Sequence, residues 1–459
     1  MVHTKELPSD AVSLRIGVFF DGTGNNRENA VKTQGLESSD SASHDSSAVA
    51  EPLPGSYGNA PTNVALLYEL YRDTSLDPGR EIVLKTYVEG IGTTNGAGDS
   101  SYVQATGRWR GGIEDRVAQA GKAVADQIVQ AVLTPPGVRI TSIRFDLFGF
   151  SRGAAAARHF ANELHSGPQG GVAKYLQMQP HLFVNGFSWR DDVEVAFVGL
   201  LDTVAGVVSP LVGDFNPGNG RVSGLRLGLG QNVAGKVVQL VAADEHRANF
   251  SLVRTDNDIL LPGAHSDVGG GYLTRMRERV RLCKPCSNRV SLSTPIERTA
   301  AYKAAAALLA KSEGDDSVRI ETWEKRLEGD RRTGGGPEKQ VFATVVRERE
   351  VLGHLSRVAL RIMYKLATQQ GVPLMALDED KEHLSLPQEL QAISRKLEDY
   401  ACTQRADMGL TSAEQTMLSK RYIHTSAHWN PPFDPRNTAL DVFYVNRPAE
   451  GGRVWLDNV

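Results

Sequence analysis

The sequence predicts an α/β fold: a mostly parallel sheet with helices on both faces, plus a helical insertion. Three observations predict it. Short β-branched, apolar runs alternate with segments of helical period. The runs are apolar at nearly every position, as expected of strands covered on both faces. Several of them end abruptly in glycine and polar residues, and the C-terminal tips of parallel strands are where such sheets bind ligands.

In chain order, "VSLRIGVFF" at 12–20 reads as a buried strand entering the glycine turn "DGTGNN". Residues 32–62, rich in Ser, Ala, Gly and Pro, read as a long loop. "EIVLKTYVEGIG" is a second strand, and "GTTNGAGDSS" continues as loop. Ile113, Val117, Ala120, Val124 and Ile128 recur at helical spacing, stopped by Pro135 and Pro136. A strand at 140–148 and a helix after Ser151 follow, then the apolar strand "VEVAFVGLL", closed by Asp202. A second glycine-rich loop covers about 209–236, "KVVQLVAADEHRANF" reads as a helix, and "DILLPGAH" as a short strand running into "SDVGGG".

Residues 275–350 break this rhythm with mixed charge, the run "AYKAAAALLA" and the linker "GDRRTGGGPEKQ", and read as the helical insertion. Helical period returns at Leu352, Leu355, Val358, Ile362 and Leu366 and stops at Gly371 and Pro373; "LDVFYVNRPAEGGRVWLDNV" reads as terminal β structure. The expected organisation is a core over 1–274, the insertion over 275–350, and a C-terminal part over 351–459 that completes or caps the core.

The 459 residues suffice for a large buried core. A net charge of −3 provides no global basic field for nucleic acid. Three cysteines leave one unpaired under any scheme, which excludes a disulfide scaffold. No run of about 18 apolar residues predicts a spanning helix. The first residues, "MVHTKELPSDAVSLRIGVFF", lack the basic head, long apolar stretch and cleavage site of a secretory signal, so export would need another route.

The stretch "IRFDLFGFSRGAAAARHF" at 143–160 carries the chemistry. A nucleophile elbow needs a strand, a tight turn and a helix. Its serine takes a strained conformation, so the residues two away on each side must be small. Gly149 and Gly153 stand there around Ser151. In a chain with 45 glycines the bare pattern arises easily by accident, so the strand and helix around it carry the weight. A working serine also needs a base and a group to orient that base, in the α/β-hydrolase order Ser, acid, His. Asp202 closes the next strong strand, and His265 follows a later one, in "LPGAHSDVGGGY". His424 and His428, in "RYIHTSAHW", are the second-ranked bases; Asp267 is too close in sequence to His265 to orient it and is expected to hold its loop. The expected oxyanion donors are the N–H of Arg152 and those of Gly22 and Thr23, with Asp21 bracing that loop. Two rival readings stay open. One is a metal-assisted hydrolase built on Asp21, Asp202, His265 and Asp267; the other is a non-catalytic binding or delivery module. "CKPC" at 283–286 has no second pair in range, so it is a weak zinc signal.

Together "FDGTGNN", "FGFSRGA", "LLDTVAG" and "PGAHSDVGGGY" resemble a group of bacterial α/β-hydrolases that includes the phospholipase effectors of type VI secretion systems. The resemblance spans roughly 14–273, with an echo at "LSRVALRIMYKLA". It implies Ser151 as nucleophile, Asp202 as acid and His265 as base, with the first glycine loop beside the oxyanion and no cofactor. It implies ester hydrolysis of membrane phospholipids, with the loops at 32–62 and 209–236 as lids. It further implies synthesis in a bacterial cytoplasm and delivery by type VI secretion to a target periplasm. Its implied partners are a secretion spike and a cognate immunity protein.

Overall fold

The first apolar run forms β1 (Ala11–Phe20), the strand around which the central sheet is built. The computed structural model describes residues 11–27, 59–74, 81–93, 112–133, 137–206, 224–312, 314–327, 337–403, 405–431 and 444–458. Helix α1 (Asn63–Leu70) follows β1, and the Thr62 hydroxyl caps it by accepting from the Ala65 N–H. Then come β2 (Glu81–Val88), α2 (Ile113–Leu133), β3 (Arg139–Phe150), α3 (Arg152–His165), the short α4 (Gly171–Leu176) and β4 (Val193–Leu201). β5 (Lys236–Ala242), the two-residue β6 (Leu252–Val253) and β7 (Asp258–Leu261) complete the first half, ending in the short helix α5 (His265–Gly269).

The central sheet has the order β2-β1-β3-β4-β5-β7, and every pair in it is parallel. It is mostly apolar on both faces, hence the two cores. On one side α2, α3 and α4 pack over residues such as Ile16, Phe145 and Val198. On the other, α1 and a later helix over Leu355–Gln369 cover Phe19, Phe148 and Phe197. Because β1 pairs with β2 on one edge and β3 on the other, the chain reverses winding direction between β1 and β3, and a crevice opens at their C-terminal tips. The tip of β1 carries Asp21 and Gly22; that of β3 carries Ser151.

Two sequence expectations need correction. The run "KVVQLVAADEHRANF" supplies strand β5, not a helix. Seven mostly apolar residues suit either period, and pairing between β4 and β7 decides the matter. The segment 275–350 is not a helical insertion. It holds β8 (Arg275–Arg281), β9 (Cys286–Ser291), β10 (Val318–Leu327) and β11 (Glu338–Leu352), with one helix, α6 (Ala300–Leu309), on the sheet. All its pairings are antiparallel. Its mixed charge is the signature of cross-strand ion pairs: Arg277 and Arg319 both reach Glu348, Arg279 reaches Glu321, and Arg275 meets Glu350 at 2.5 Å.

After β11 come α7 (Leu355–Gln369), α8 (Gln388–Thr403) and α9 (Ser412–Arg421). α7 buries Leu355, Val358 and Ile362 against the central sheet. The expected terminal β structure amounts, among the described residues, to β12 (Trp455–Leu456), parallel to β6. Of the two expected lids, 28–58 and 207–223 lie outside the described residues. The described part of the second is fastened to α3: Arg158 donates to the Leu227 carbonyl, and Asn162 to those of Arg226 and Gly228. Among the described residues no helix is long and apolar enough to cross a membrane.

One buried charge pair ties the sheet together. Arg15 on β1 bonds both oxygens of Asp146 on β3, at 2.7 and 3.1 Å, and the Tyr71 hydroxyl donates to the same carboxylate at 2.8 Å. Arg15→Met strands a buried carboxylate and should cost about 3–5 kcal/mol in urea unfolding, while adding Asp146→Leu should recover much of that loss. A cost near zero for the single variant would contradict this role.

Candidate active site

The elbow follows from close packing. Ser151 adopts φ 58° and ψ −125°, a strained conformation for a residue with a side chain. It is held there because its N–H donates to Leu201 O on β4 at 3.0 Å and its carbonyl receives Val204 N and Ala154 N. A Cβ on Gly153 would stand 2.3 Å from the carbonyl oxygens of Phe20 and Asp21, and one on Gly149 would stand 2.6 Å from Ala154 Cα. The two glycines therefore let α3 start directly against the ends of β1 and β3. Its first N–H groups come to lie beside the Ser151 side chain, where the positive end of the helix favours an anion.

Asp202 ends β4 at φ 46°, and is the second non-glycine residue with positive φ among the described residues. Its carboxylate is fully buried and accepts four hydrogen bonds. Oδ1 receives Ala242 N at 3.0 Å and Arg453 Nη1 at 2.7 Å. Oδ2 receives Arg453 Nη2 at 2.8 Å and lies 2.5 Å from His265 Nδ1. Burial alone would raise the Asp202 carboxyl, but Arg453 and His265 outweigh it and hold it below the usual carboxylate range.

His265 opens α5, just past the tip of β7. Its ring lies between Phe150, 4.6 Å away, and Phe250, met edge-on at 4.8 Å. Phe150 is the residue before Ser151, so imidazole and serine share one corner of the sheet edge. Burial pushes the His265 imidazole below its usual value, against the opposing pull of Asp202. The structure records no hydrogen bond between Ser151 and His265 among the described residues; such contacts commonly tighten only with substrate bound. Glu245, buried and bonded to Arg247, approaches the His265 N–H at 3.4 Å.

The other expected site residues are placed as follows. Asp21 receives Gly22 N at 2.6 Å, Thr62 Oγ1 at 2.8 Å and Tyr87 OH at 2.5 Å, and burial raises its carboxyl to about 6. This occupies the Gly22 N–H, so Gly22 is corrected as an oxyanion donor. Thr23 differs: its hydroxyl is buried without a partner among the described residues. The Arg152 guanidinium makes no hydrogen bond or ion pair among the described residues, and burial lowers it to about 10. Asp267 receives Ala264 N at 2.9 Å and His424 N at 3.0 Å, and lies 2.7 Å from His424 Nδ1. His424, the second-ranked base, is thus committed to Asp267, with Tyr272 stacked on it at 3.7 Å. His428 accepts from Asn430 N and contacts Asn446. Of the four groups of the metal reading, Asp202 and His265 pair with each other while Asp21 and Asp267 are held by other partners, and no cluster suited to a metal ion occurs among the described residues. Cys283 and Cys286 are free thiols, with Cys283 Sγ accepting from Val345 N.

Sequence reasoning missed Arg453, Glu245 and Arg247. Nothing local marks Arg453 in "EGGRVW". The available signal was indirect: a buried acid beside a histidine requires more donors than the histidine supplies.

The His265 imidazole should titrate below 6.5 in imidazole-detected NMR, its signal assigned by loss in His265→Gln. Between the depressed folded pKa and the unfolded value near 6.5, the unfolded chain binds more protons. This group therefore adds stability as pH rises through that window, and the gain is lost as pH falls through the folded pKa. Titration above 6.5 would contradict the described environment.

The sequence matches no protein-family model and no curated protein. Among solved structures, the chain is similar to one described as the Tle1 effector bound to the VgrG spike from the type 6 secretion system. The two share 27% identity at a TM-score of 0.75, over 98% of this chain and 94% of that one. An uncharacterized protein from Pseudomonas aeruginosa matches at 18% identity and a TM-score of 0.39, covering 86% of this chain and 51% of that one. The likeness to the Tle1 effector extends over almost the entire length of both chains, through the parallel sheet and the segments that follow it.

Proposed function

We propose that this chain is a serine esterase of phospholipase A type that acts as an antibacterial effector of a type VI secretion system. The observation that carries the reading is the meeting of three strand tips: a strained Ser151 at a helix start, and a buried His265 bonded to a buried Asp202. The near full-length likeness to the Tle1 effector supports the delivery route.

In the proposed reaction Ser151 Oγ attacks the acyl carbonyl carbon while its proton passes to His265 Nε2. Asp202 fixes the ring through Nδ1–H and stabilises the imidazolium that forms. The Arg152 N–H, with Thr23 at the crevice wall, receives the negative charge on the carbonyl oxygen, a contribution of about 3–4 kcal/mol per donor in comparable sites. The imidazolium then protonates the leaving alcohol oxygen as the C–O bond breaks. Water, deprotonated by His265, releases the fatty acid from the acyl-serine.

The Arg152 side chain supports an anionic substrate. The guanidinium of Arg152, the residue after the nucleophile, is half-buried and has no acidic partner among the described residues, and a phosphodiester would satisfy it. The likeness also supports a VgrG-like spike as carrier, and an immunity protein in the producing cell follows from a toxic activity.

Fatty-acid release from phosphatidylethanolamine and phosphatidylglycerol vesicles tests the reading. Ser151→Ala and His265→Ala should each lose at least about 10³-fold, and chelator should have no effect. Full activity in Ser151→Ala would sink the serine mechanism, and loss only with chelator would favour a metal. Arg152→Gln should lower the preference for phospholipid over a neutral ester of equal chain length by at least about tenfold. An unchanged ratio would remove Arg152 from substrate recognition.

A further inference from the structure

We infer that Arg453 is a positioning residue that sets the basicity of His265: its guanidinium is bonded across both oxygens of Asp202, so the site's acid meets its base already charge-compensated. This rests on the serine–histidine–aspartate reading for its consequence in catalysis, though not for its effect on the imidazole.

The geometry is that of a built contact. Arg453 is buried with its side chain 4% exposed. Its three nitrogens are used: Nη1 and Nη2 grip Asp202 at 2.7 and 2.8 Å, and Nε donates to Phe250 O at 2.7 Å. The segment 444–458 delivers it. Leu252 N donates to Val454 O just before β12 and Arg254 N to Leu456 O at its end, and Asn458 bonds both backbone groups of Leu229. Further back, Ala248 N bonds Arg447 O and Ala449 N bonds His246 O. The strap therefore fastens to the loop that carries Glu245, Arg247 and Phe250, and to the edge of β6. Its arginine arrives where a carboxylate would otherwise face the imidazole alone.

The consequence follows from charge. An uncompensated buried carboxylate favours imidazolium and makes the histidine a stronger base that is protonated at higher pH. A bidentate guanidinium draws part of that carboxylate's field to itself, leaving the imidazole neutral further into the acid range. The charged groups facing His265 are Asp202 from β4, Glu245 and Arg247 from the loop after β5, and Arg453 through Asp202. On α5 itself, Asp267 is occupied by His424. Glu245 and Arg247 pair with one another, so Arg453 is the compensating charge for Asp202.

The test compares wild type, Arg453→Gln and Arg453→Lys in the full-length chain. The first readout is the His265 imidazole titration by NMR, which needs no enzymatic activity; the second is the acid limb of kcat/KM. In Arg453→Gln both should move up by about one pH unit. Millimolar methylguanidinium should move them back. Arg453→Lys keeps the charge without the fork and should move them less, and it carries the test alone if the Gln variant does not fold. An imidazole titration unmoved in the folded variants overturns the inference, because a purely structural arginine would lower activity without moving the limb. A shifted imidazole in a protein that hydrolyses no ester would uphold the inference while sinking the proposed function.

Discussion

The Asp202 carboxylate is the group around which the rest of the site is organised. It has no contact with solvent, so its charge and lone pairs must be matched inside the protein. The donors come from three places: the backbone at the end of β5, the histidine after β7, and Arg453 on the far strap. Satisfying one buried acid therefore fixes where β5 ends, how α5 is turned and where the segment 444–458 lies. These elements are distant in sequence, and that single carboxylate requires them to meet.

A second constraint works beside it. The parallel sheet reverses its winding between β1 and β3, which leaves room at their tips. The tip of β3 turns through a strained serine, and the tip of β4 through a strained aspartate. Strain of this kind persists only where packing dictates it. Here glycines at 149 and 153 allow α3 to abut β1, and the backbone of β4 holds Ser151 N in place. Asp21, locked by Gly22, Thr62 and Tyr87, shapes the facing wall of the crevice. A serine hydroxyl in strained geometry, a helix N-terminus next to it and a buried histidine–aspartate pair are the parts that acyl transfer requires.

Much of this was legible in the sequence because it is local. Each strand of the parallel sheet before β5 is a mostly apolar run, and the glycines flanking Ser151 report a steric need within five residues. Asp202 and His265 could be picked out because strands announce their own tips. What could not be read is what depends on distant pairing. β5 looked helical because its neighbours in the sheet, not its own composition, make it a strand. The segment 275–350 looked like a charged helical insertion because Arg277 and Glu348 are matched only when antiparallel strands bring them together. Gly22 was expected to donate to an oxyanion, but Asp21, one residue before it, takes that N–H. Arg453 left no local trace, since the need it meets arises at a residue near the middle of the chain.

The measurement that tests the central claim most directly is covalent labelling by a fluorophosphonate, followed by peptide mass analysis. Such a reagent forms a stable adduct only with an activated serine oxygen. One equivalent on Ser151, abolished in His265→Gln, is the predicted result. A label on another residue, no label at all, or labelling of Ser151 that does not depend on His265 would contradict the account.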